Sequence, residues 1–116
     1  MDSVAQPSMA EALDRMWARF LPQLEERVAT LEAAAANFAA NRLSADQRAA
    51  AIAAAHKLAG VLGTFGLSEG TVLARELENL YSRQSGPDAA LYAQTTELAA
   101  RLRAIVESRN QHGPIA

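Results

Sequence analysis

His56 stands in the run Ala53-Ala54-Ala55-His56-Lys57-Leu58-Ala59-Gly60, and of the two histidines in the chain it is the one inside a helical pattern. With an ordinary pKa of about 6.5, an imidazole is mostly uncharged near neutral pH and keeps one ring nitrogen free as a nucleophile. Lys57, the sole lysine among 11 basic residues, follows directly. A neighbouring ammonium suits a phosphoryl group in flight, whose spread negative charge a cation stabilises. The positions three and four away hold Ile52, Ala53, Ala59 and Gly60, with no carboxylate and no second histidine, so zinc-helix spacing is absent and no resident metal is expected. No serine stands in sequence next to a histidine and an acid, and no glycine-rich phosphate loop follows a strand. Self-sufficient hydrolase or kinase chemistry is therefore not expected. His112 lies in a Gly-Pro tail and reads as a surface residue.

Turning about 100° per residue gathers Ala51, Ala55, Leu58, Ala59, Leu62 and Phe65 on one side of this helix, which must face the core. His56 falls roughly 120° from the centre of that side, so its ring is expected to project into solvent. Its neighbours on the open face are Ala49, Ala53, Gly60 and Gly63, residues with almost no side chain. A mid-helix glycine costs about 1 kcal/mol relative to alanine, yet Gly60 sits one turn from His56 in a helix otherwise built of strong helix formers. Clearance explains it: another macromolecule must bring a reactive group to a ring nitrogen. Gly63 and Gly66 also suit the end of a helix, where glycine supplies a left-handed turn.

The elements that position this histidine follow from composition and punctuation. The 116 residues include 27 Ala and 14 Leu against 8 Val and Ile together, which favours one all-α domain. With no cysteine, disulfides, thiolate metal sites and thiol nucleophiles are excluded. A formal charge of −2, with 13 acids and 11 bases spread along the chain, offers no basic stripe for nucleic acid or a membrane surface. No apolar run reaches membrane-spanning length and no signal-peptide pattern is apparent, so a cytoplasmic protein is expected. Ser8 with Glu11 and Ser44 with Gln47 form capping boxes, Ser68 reads as the cap of a third segment, and Ser85-Gly86-Pro87 separates it from the last. Apolar seams run through Met9, Leu13, Met16, Trp17 and Phe20; through Leu24, Val28, Leu31, Ala35 and Phe38; through Val72, Leu73, Leu77, Leu80 and Tyr81; and through Leu91, Thr95, Leu98, Leu102 and Ile105. Trp17, Phe20, Phe38 and Phe65 read as core. Pro22 either opens a helix or kinks a continuous one. The expected architecture is an antiparallel up-down-up-down four-helix bundle with an additional N-terminal helix, Ser8 to Phe20, packed across it. Residues 1–7 and 109–116 read as flexible tails, 8–108 as the domain and about 22–108 as the core bundle.

The run His56 to Gly66, His-Lys-Leu-Ala-Gly-Val-Leu-Gly-Thr-Phe-Gly, followed by Leu67, Ser68 and Leu73 to Leu80, resembles the histidine-containing phosphotransfer (HPt) domain. The shared pattern is a helical histidine, an apolar residue two on, glycine four on, small residues about seven on and an apolar-Gly pair closing the helix. The resemblance extends over about 22–108 and implies a phosphorelay intermediate in a two-component system. His56 would accept a phosphoryl group from a receiver-domain aspartyl phosphate and pass it to another receiver's aspartate. Gly60 would give clearance and Gly66 the hinge into the next helix. Partners would be response-regulator receiver domains, a hybrid histidine kinase, or both. The protein would be a monomer with no cofactor of its own, the magnesium ion residing on the receiver. Many members carry lysine three residues after the histidine; Ala59 stands there, and either Lys57 stabilises the phosphoryl group in its place or it is an ordinary solvated lysine. Val61 is expected to point outward and join Ala49, Ala53, Gly60 and Gly63 in a docking face, with Arg75, Asn79 and Arg83 at its border. Glu69, Glu76 and Glu78 read as a solvated face. In dimerising histidine kinases the residue after the phosphorylated histidine is typically acidic, so the basic Lys57 argues against autokinase activity. The alternative is an adaptor bundle that binds signalling partners without relay activity.

Overall fold

Ser8 and Ser44 each accept a hydrogen bond from the backbone N–H three residues on, and Glu11 and Gln47 reach back to the serine N–H groups. These capping boxes open α1 (Met9–Ala39) and α2 (Ala45–Thr64), which α3 (Ser68–Ser82) and α4 (Ala89–Gln111) follow. The computed structural model describes residues 8–83 and 88–111. Among the described residues there is no strand, and no helix is long and apolar enough to cross a membrane. The expected tail at 1–7, the Ser85-Gly86-Pro87 stop and His112 lie outside them.

Three expectations are corrected here. Pro22 lies inside α1, so Ser8 to Phe20 is not an additional helix across the bundle but the start of a single 31-residue helix. An internal proline costs about 3 kcal/mol through its lost hydrogen bond and ring clash. Against that stands one continuous buried stripe on both sides of it, Trp17, Leu24, Val28, Leu31 and Ala35, while Pro22 itself faces solvent. Burying residues of Leu and Val size contributes about 1.5–3 kcal/mol each, which outweighs the break. Second, α3 is capped not by Ser68 but by Leu67, without a side-chain hydrogen bond, because Ser68 already lies in the helix. Third, α4 runs past Ser108 to Gln111. Arg109 holds its last turn to α1, donating to Asp14 at 2.7 Å and lying 5.1 Å from the Trp17 ring centre.

α1 and α3 each pack against α2 and α4. The pairings Phe38 with Arg48 and Trp17 with Phe65 (α1 with α2), His56 with Glu78 and Ala59 with Thr71 (α2 with α3), and Glu76 with Gln94 and Glu69 with Arg101 (α3 with α4) all run in opposite sequence senses. Leu24, Val28, Leu31, Leu58, Leu62, Leu77, Leu102 and Val106 fill the interior. Ala51, Ala54, Ala55 and Ala59 are buried on α2 and let that helix pack closely. Trp17 is buried, and the half-buried Phe20 and Phe65 meet at its end of the bundle edge to face. Met9, Met16 and Val72, read as part of apolar seams, are instead exposed. Between α1 and α4, Arg103 grips Glu32 through two hydrogen bonds, which hold the Glu32 carboxyl below the ordinary carboxylate range.

The α2–α3 turn sets the register of the site. Gly66 takes φ +74°, its N–H donates to the Gly63 carbonyl, and the Leu67 N–H donates back to Leu62. This pair of bonds is the Schellman arrangement, which satisfies the last carbonyls of α2. An L side chain at such a φ costs about 1–2 kcal/mol. Gly66→Ala is therefore expected to lower unfolding free energy by that amount in urea titrations while leaving helical content at room temperature unchanged; an unaltered midpoint would contradict the strained turn.

Candidate functional site

α2 presents His56 to solvent with 75% of its side chain exposed. The ring is held from α3: Nδ1 lies 3.0 Å from Oε2 of Glu78, whose side chain is 28% exposed. A carboxylate only accepts hydrogen bonds, so Nδ1 must carry the proton and donate it. In the neutral ring Nε2 then keeps its lone pair, the form a nucleophile needs. Thr71 fixes the two helices at this level by donating its hydroxyl to the Ala59 carbonyl at 2.8 Å.

His56, Ala59, Gly60, Arg75, Glu78 and Asn79 line a cleft of about 530 Å³. Gly60 opens onto it without any internal need for glycine, since a β-carbon built there meets nothing within 4 Å beyond its own stretch of helix backbone. The fold would accept alanine, yet the chain keeps the poorer helix former. Ala49 and Ala53 are exposed on α2. Gly63 is turned toward α3, where a β-carbon would come within 3.3 Å of the Thr71 hydroxyl. Val61 does not point outward: it is half-buried and packs against the core, about 90° around α2 from the centre of its buried stripe. Lys57 is exposed but is not among the residues lining the cleft; the basic residue that lines it is Arg75. Arg83 lies beyond the end of α3, where its carbonyl accepts from Arg48. Glu78, read from sequence as part of a solvated face, is the residue that orients His56. Val72, 62% exposed, stands three residues before Arg75 on the outer side of α3. Among the described residues, no three His, Cys, Asp or Glu side chains converge as a metal site would require.

The helical bundle thus presents one hydrogen-bonded, exposed imidazole beside a bare glycine. The family pattern described as "Hpt domain" matches residues 15–109, and the chain belongs to that family. Hpt domains serve histidine phosphotransfer in phosphorelays and interact with receiver domains and histidine kinases. Protein RcaC of Microchaete diplosiphon is 38% identical over 66 residues, which span 57% of this chain and 10% of RcaC. The match therefore concerns a small part of that relative. No solved structure matches the chain at a significant level.

Proposed function

We propose that this chain is a phosphorelay intermediate in which Nε2 of His56 takes a phosphoryl group from the aspartyl phosphate of a receiver domain and passes it to the aspartate of another. The observation that supports this most is the hydrogen bond from Nδ1 to Glu78 on an otherwise open imidazole, which leaves Nε2 its lone pair. As Nε2 forms its bond to phosphorus, the bond to the aspartyl oxygen breaks and its electron pair stays on the carboxylate. Nδ1 keeps its proton throughout. The return step is the reverse, so the bundle supplies a positioned nucleophile while the receiver supplies its acidic pocket and magnesium ion. Ala49, Ala53 and Gly60 of α2 and Val72 and Asn79 of α3 form the surface a receiver covers. The protein works as a monomer among receivers in the cytoplasm.

Arg75 supplies the cation for the phosphoryl oxygens arriving in the cleft, and Lys57 flanks His56 from outside it. Hydrogen bonds to charged groups contribute about 1.5–3 kcal/mol, so Arg75→Ala is expected to slow transfer by about 10- to 100-fold. Lys57→Ala should have the smaller effect in the same stopped assay, and a reversed order would return the role to Lys57. The reading as a whole is tested by mixing the protein with a panel of phosphorylated receivers. Acid-labile, base-stable phosphate on the bundle is the expected result. Receivers that bind without transferring label would instead establish an adaptor.

A further inference from the structure

The carboxylate at position 78 is more than tautomer selection requires. A neutral acceptor, such as a glutamine carbonyl, would also take the Nδ1 proton and expose Nε2. What Glu78 adds is a negative charge 3.0 Å from the ring, and that charge matters most after phosphorylation. When Nε2 of an Nδ1-protonated imidazole bonds to phosphorus, the neutral ring becomes cationic. We propose that Glu78 holds phosphorylated His56 in this Nδ1-protonated form and so keeps the phosphoryl group transferable at pH values where an unpaired phosphohistidine has lost that proton. The proposal rests on His56 being the acceptor.

The chemistry of the leaving group carries the consequence. From the protonated ring, the N–P bond breaks with its electron pair returning to Nε2. The phosphoryl group passes to an aspartate oxygen or to water, and the ring departs as neutral imidazole with its Nδ1 proton in place. From the deprotonated ring the same step must expel an imidazolide anion, a far poorer leaving group. Charge at Glu78 therefore sets the pH up to which the phosphorylated protein remains reactive. The other charged side chain lining the cleft is Arg75, also from α3, while Lys57 stands beside His56 on α2; α1 and α4 contribute no residue to the cleft. Both cations disfavour a charged ring. Glu78 opposes them from hydrogen-bond distance, its own side chain partly shielded from solvent.

The test uses wild type and Glu78→Gln, which preserves shape and hydrogen bonding while removing charge. Both proteins are phosphorylated with phosphoramidate, a small donor that needs no partner, and the label is assigned to His56 by phosphorus NMR and peptide mass. Loss of phosphate is then followed from about pH 5 to about pH 10. An opposite charge in contact shifts such a titration by about one unit or more. The two proteins should lose phosphate at equal rates at the acid end. At the alkaline end the wild type should be about tenfold faster, with its fall in rate displaced upward by about one pH unit. Superimposable profiles with His56 labelled in both proteins would overturn the role of Glu78 and leave the acceptor intact. Failure of His56 to take label in either protein would remove the acceptor assignment and this inference with it.

Discussion

A His56→Gln variant is expected to carry no phosphoryl label after mixing with a phosphorylated receiver that labels wild type fully. Position 56 is three-quarters exposed, and glutamine can still donate to Glu78 through its amide. Substitutions at such sites change stability by about 0.5 kcal/mol or less. Loss of label would therefore be loss of the nucleophile, not of the fold. His112→Ala serves as the control and should label as wild type does. Label that persists in His56→Gln would move the acceptor elsewhere.

Gly60→Leu should separate folding from function more sharply than any other single change. Beyond its own stretch of helix backbone nothing lies within 4 Å of the position a β-carbon would take, and leucine is the better helix former by roughly 1 kcal/mol. Its urea midpoint should equal or exceed that of wild type, with Gly60→Ala similarly stabilised. Transfer should nevertheless fall by about two orders of magnitude in Gly60→Leu, because a branched side chain one turn from His56 holds the incoming phosphorus away from Nε2, and misplacement by about 1 Å costs that much. Unchanged transfer in Gly60→Leu would show that the glycine has no clearance role.

Much of the site was legible from the sequence because it depends on one helix. The spacing of Ala51, Ala55, Leu58 and Leu62 defines the buried side of α2, and His56 must then lie off it. The two capping boxes and the glycine turn are likewise local, and each forms as its residues specify. What a single helix does not contain was missed. Pro22 leaves two outcomes open locally, and tertiary burial on both sides decides for continuity. Val61 and Val72 are both apolar, and only the placement of neighbouring helices makes the first half-buried and the second exposed. Glu78 lies 22 residues from His56, beyond any intrahelical spacing. A signal for it does exist. With the turn centred on Leu67, His56 lies eleven residues before and Glu78 eleven after, and two helices of equal rise bring such positions level. Gly63 and Thr71 obey the same count about Leu67. Counting outward from the glycine turn would have paired the histidine with its carboxylate.

The atom that receives phosphorus is the most direct test of this mechanism. Protein labelled with nitrogen-15 at histidine, phosphorylated by a receiver and observed by nitrogen and phosphorus NMR, should show phosphorus bonded to Nε2 of His56, with the proton still on Nδ1. Phosphorus on Nδ1, or on any residue other than His56, would contradict it.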